Sequence, residues 1–157
     1  MKENPQPFFG RVYLKTANGL IPVRLSRSRE TSSWGITPEY DWLQVGGTER
    51  PPIFKFVFHS KTEDRIHVRI FGKSDFSAEL GISRNGYAGF YRSAEIKDYW
   101  KIEHLAADDQ GIHCRLRDHQ GHQLKVEAPQ ESGASFPYLN VTQGIEYEYF
   151  IEHVDMN

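Results

Sequence analysis

The stretch Asp98-Tyr99-Trp100-Lys101-Ile102-Glu103-His104-Leu105 has a near copy at Glu148-Tyr149-Phe150-Ile151-Glu152-His153-Val154 and a looser one at Phe54-Lys55-Phe56-Val57-Phe58-His59. Phe54 and Trp100 stand 46 positions apart, and Trp100 and Tyr149 stand 49 apart. A strand-like unit that returns at this period constrains the fold more than any single motif, because each copy must bury the same face against its neighbours. Two further offsets agree. Val12-x-Leu14 with Gly19 matches Cys114-x-Leu116 with Gly121 at a spacing of 102, and Tyr40-x-Trp42-Leu43-x-Val45 matches Phe136-x-Tyr138-Leu139-x-Val141 at 96. The chain divides into a polar leader, 1–7, and one domain, 8–157, of three units at about 8–59, 60–107 and 108–157.

Within the units the pattern has a period of two. Ile66-His67-Val68-Arg69-Ile70 and Ile112-His113-Cys114-Arg115-Leu116 alternate so that their apolar members share one face of a strand. Asn18-Gly19 and Asn85-Gly86 mark turns, since both residue types tolerate positive φ, and His119-Gln120-Gly121 marks a third. Helical spacing is hard to find. The expectation is an all-β domain of short strands separated by Gly, Asn and Pro clusters.

Three units of about four strands resemble the β-trefoil, in which three repeats build a six-stranded barrel capped by three hairpins; a β-sandwich is the alternative. The resemblance spans Phe8 to Val154 and extends to ricin-B-like lectins and fascin-like trefoils. The lectins carry Gln-x-Trp near the end of each repeat, whereas this chain has Asp98-Tyr99-Trp100, Pro52-Ile53-Phe54 and Tyr147-Glu148-Tyr149. The glutamine is missing throughout, and Trp100 reads as a core residue rather than a ligand contact.

Composition narrows the partners. Charged residues make up 25%, the hydrophobic fraction is 38% and the formal net charge is −2, which matches a globular chain and offers no basic excess for nucleic acid. No apolar run suits a membrane span or a secretory signal, so the expected location is cytoplasmic, or outside the cell by a route without a classical signal peptide. Cys114 is the single cysteine, which excludes an internal disulfide and a thiolate zinc cluster. His113, His119 and His122 lie near Asp118, but a solvated turn accounts for them better than a metal site, and no metal or other cofactor is expected. No nucleophile elbow, Walker loop or zinc-protease helix is present, and Cys114 sits in an apolar alternation where a buried thiol is inert.

The residues suited to a ligand are aromatics in or beside loops with short polar neighbours: Trp34, Tyr40, Asp41, Trp42, Asn85, Tyr87, Tyr138 and Asn140. An aromatic face stacks on the apolar side of a sugar ring while carboxylate and carboxamide groups take its hydroxyls. Trp42 and Tyr138 read equally as barrel residues, and Asp41 and Asn85 as turn formers. The function expected is that of a non-enzymatic, lectin-like module binding a carbohydrate, a cell-surface glycoconjugate or a protein receptor. The alternatives are a toxin-like or host-interaction protein, and a protease inhibitor acting through a protruding loop at Ser26 to Thr37 or Ala128 to Ser135.

Overall fold

In β1 (Phe8–Thr16) Gly10, Val12 and Leu14 are buried while Arg11, Tyr13 and Lys15 are only half-buried, the signature of a strand with one face on a core. The chain turns through Ala17 and Asn18 into β2 (Gly19–Ser26), with Gly19 at φ +121°. The Thr16 hydroxyl donates to Gly19 O at 2.8 Å and accepts from Asn18 N–H at 3.2 Å, closing the turn. The computed structural model describes residues 6–26, 41–72, 76–90, 98–127 and 136–156.

These residues form strands and no helix. After β2 come β3 (Asp41–Val45), β4 (Phe54–Lys61), β5 (Arg65–Gly72), β6 (Ala78–Ile82), β7 (Ala88–Phe90), β8 (Trp100–Asp108) and β9 (Gly111–Arg117). The short β10 (Lys125–Val126), β11 (Leu139–Asn140) and β12 (Ile145–Glu146) precede β13 (Glu148–Val154). All ladders are antiparallel. Ten strands run in the order β13-β9-β8-β5-β4-β1-β2-β3-β7-β6, and additional β13–β1 and β5–β6 pairings close the sheet on itself.

The result is a closed nine-stranded barrel, β13-β9-β8-β5-β6-β7-β3-β2-β1, with β4 as an extra strand joined to both β1 and β5. This corrects the expectation of a β-trefoil. The trefoil reading sets six barrel strands apart from three capping hairpins, but β2, β3, β7 and β6 belong to the same continuous sheet as the barrel strands, linked by Asp41↔Phe90 and Trp42↔Gly89. The third unit also departs from the other two, since β10, β11 and β12 form a separate three-stranded sheet of two-residue strands. The resemblance to ricin-B-like and fascin-like trefoils is withdrawn with it. A β-sandwich is equally unsupported, because the sheet closes instead of stacking as two open layers. Closure satisfies sheet edges that would otherwise present unpaired backbone groups.

The recurrent aromatics fill the interior. Phe54, Trp100 and Tyr149 stand at the starts of β4, β8 and β13 and are 2%, 2% and 0% exposed. Trp100 Nε1–H donates to Leu80 O at 3.2 Å and the Tyr149 hydroxyl to Leu124 O at 2.8 Å, so both large rings are buried with their polar atoms satisfied. Phe54 meets Phe90 edge-on at 5.2 Å, and Gly72 lies where a Cβ would come within 2.5 Å of the Phe90 ring. Cys114 is fully buried, and burial pushes its thiol up to about 12, well outside the range of a reactive thiolate. No helix among the described residues is long and apolar enough to cross a membrane.

Candidate functional site

The turn that feeds β7 is built by Ser83-Arg84-Asn85-Gly86. Gly86 N–H donates to Ser83 O at 2.9 Å, Tyr87 N–H donates to Ser83 Oγ at 3.1 Å, and Gly86 takes φ +88°, where a Cβ would come within 2.6 Å of Asn140 Oδ1. Across from it, β11 is stitched in by isolated bridges Gln44↔Tyr138 and Tyr87↔Asn140, by Val45 N–H to Pro137 O at 3.1 Å and by Val141 N–H to Gly86 O at 2.9 Å. These contacts bring residues 42, 87 and 138 together. Trp42 and Tyr138 meet edge-on at 6.2 Å and 87°, and Tyr138 and Tyr87 at 5.8 Å and 79°, all three half-buried.

Beside this aromatic row a cleft of about 390 Å³ is lined by Arg84, Asn85, Tyr87, Thr142 and Gln143. Asn140, 0% exposed, lies behind these lining residues. Its Oδ1 accepts from Thr142 N–H and Thr142 Oγ1, both at 2.7 Å, and from Gln143 N–H at 3.2 Å, while Nδ2 donates to Asn85 O at 3.1 Å and Glu127 Oε2 at 3.4 Å. With the amide committed on both sides, Asn140 shapes the cleft from behind. Glu127, 9% exposed, accepts also from the Tyr87 hydroxyl at 3.2 Å and from Gln143 Nε2 at 3.1 Å. Burial, and then the hydrogen bond and charge of Glu127, hold the Tyr87 phenol above its ordinary range, so it stays protonated and donates.

Five of the eight residues singled out by sequence therefore converge: Trp42, Asn85, Tyr87, Tyr138 and Asn140. Asp41 opens β3 with its backbone paired to Phe90, and Trp34 and Tyr40 lie outside the described residues. So do the two loops of the inhibitor reading, apart from Ser26 at the end of β2. The histidines near Asp118 each have separate partners: His122 Nδ1 with Asp118 Oδ2 at 3.1 Å, His113 Nε2 with Asp108 Oδ2 at 3.3 Å, and the His119 ring against Tyr99. Among the described residues no three His, Cys, Asp or Glu side chains are gathered as a metal site.

Two features had escaped the sequence reading. Glu127 is a single carboxylate just after β10, and only the approach of Tyr87 and of residues 140–143 buries it. The other feature is a row on the outer wall. A bulge between Phe58 and Ser60 aims Ser60 Oγ at His59 Nδ1, 2.8 Å away, and at His67 Nδ1, 2.9 Å away. The His67 ring stacks flat on Tyr99 at 4.6 Å and 3°, and His59 packs on the same tyrosine at 4.8 Å. The break in alternation at His59-Ser60 is the only local signal of that row. Comparison with family models, with curated proteins and with solved structures finds no match to this chain.

Proposed function

We propose that this chain is a non-enzymatic recognition module that takes a carbohydrate or glycoconjugate at the cleft between the β6–β7 turn and the segment after β11. The observation that carries this reading is the Tyr87 ring, braced edge-on by Tyr138 and through it Trp42, in a cleft lined by amide, hydroxyl and guanidinium groups. Sugar rings need this pairing of an apolar plate with a few fixed hydrogen-bonding groups. The hydrogen-bond framework around Asn140 pre-orders the polar side, which lowers the ordering cost of binding.

A glycan array probed with the intact chain tests the proposal, followed by fluorescence titration of the best binder. Tyr87→Ala is expected to weaken binding about tenfold, the cost of removing one aromatic contact worth roughly 1–1.5 kcal/mol. Silence across a broad array, or binding that ignores Tyr87→Ala in a folded variant, would remove the reading.

A further inference from the structure

Glu127 sets the hydrogen-bond polarity of the cleft wall. The carboxylate is 9% exposed and accepts from three neutral donors, Tyr87 Oη, Asn140 Nδ2 and Gln143 Nε2, with no cation paired to it among the described residues. A buried carboxylate held only by neutral groups leaves a negative potential that a ligand can answer. The donors it commits also fix what the cleft wall presents. Tyr87 has one hydroxyl proton, and it points at Glu127, so toward a ligand that oxygen only accepts. Gln143 turns its amide nitrogen to the same carboxylate, which directs its Oε1 the other way, again as an acceptor.

Two lining groups thus accept, and a negative charge stands directly behind them. Among the described lining residues Arg84 is the one whose side chain only donates; it is exposed, so solvent screens its charge more than that of the buried Glu127. A ligand that suits this wall carries an ammonium for the Tyr87–Gln143 side. We propose that the cleft selects an unacetylated amino sugar, its ammonium donating to Tyr87 Oη and Gln143 Oε1 and its charge balanced by Glu127. This rests on the reading of the cleft as a sugar site.

The test titrates the intact chain with glucosamine, N-acetylglucosamine and glucose by calorimetry. Glucosamine is expected to bind about tenfold tighter than either neutral sugar, the difference between a charge-assisted and a neutral hydrogen bond. Glu127→Gln should abolish that preference. Gln143→Ala removes one of the two acceptors and should narrow it, and it keeps the test available if Glu127→Gln does not fold. Equal binding of the three sugars, a preference that survives Glu127→Gln, or one that does not narrow in Gln143→Ala overturns the proposal while leaving a sugar site intact. If none of these sugars nor any array glycan binds, the recognition reading falls as well.

Discussion

His67 lies on the outer wall of the barrel yet is only 6% exposed, because Tyr99 covers its ring and Ser60 holds its Nδ1. Its Nε2 is buried without a hydrogen-bond partner. The groups that face it from β4, β5 and β8 are cationic or basic: burial first, then Lys101, His59 and Arg65, hold the imidazole below its ordinary value of 6.5. The unfolded chain therefore takes up this proton before the folded one does. Stability from His67 is complete above about pH 6.5 and is lost as the pH falls through that value toward the lowered one. His67→Phe keeps the stack on Tyr99 and removes the titration, so its melting temperature should fall less steeply than that of the wild type between roughly pH 7 and pH 5. Parallel curves would rule the account out. Glu103 and Asp108, whose carboxyls are held low chiefly by Arg117 and by backbone N–H of Gln110 respectively, titrate below this window and do not confuse it.

Strand-length features were largely legible. The alternations at Val12–Leu14, Ile66–Ile70 and Ile112–Leu116 lie in β1, β5 and β9, and Gly19, Gly86 and Gly121 stand at or beside turns with positive φ. A period of two and a glycine's backbone freedom act within a few residues, so they can be read without knowing the partner strand. Close packing between strands is different. Gly111 pairs with Glu152 of β13, and a Cβ there would come within 2.0 Å of Ile151 O, a backbone atom that cannot swing aside. Gly111→Ala is expected to cost roughly 1–3 kcal/mol through overpacking, lowering the melting temperature by about 3–10 °C. A variant as stable as the parent in a thermal melt would show that β9 and β13 do not approach this closely. The bulge at His104/Ala106 was also illegible, and the one at Phe58/Ser60 showed only as the break at His59-Ser60, because an unpaired residue is defined only against the neighbouring strand.

At the scale of the molecule, β1 and β13 are joined by a seven-pair ladder from Phe9↔Val154 to Lys15↔Glu148, and β13 also pairs with β9. Closure thus depends on two segments far apart in the chain, which makes folding slow and all-or-none rather than unit by unit. A chain ended at Glu146 should lose the cooperative thermal transition altogether, since it leaves β1 and β9 with open edges and removes the buried Tyr149 and Ile151. A sharp unfolding transition in the shortened protein, followed by circular dichroism, would contradict the closed barrel.

The sequence by itself determined the strands, the turns that separate them and the aromatic positions that recur, because alternation and turn chemistry are set by local backbone sterics. It also marked Trp42, Tyr87 and Tyr138 as loop-side aromatics. Only the tertiary structure decided which strand lies beside which, and with that the nine-stranded closure in place of a trefoil, since the period of a strand does not name its partner. The burial of Glu127 is of the same kind: two segments distant in the chain, at Tyr87 and at residues 140–143, enclose it, and no residue adjacent to it in sequence could announce that.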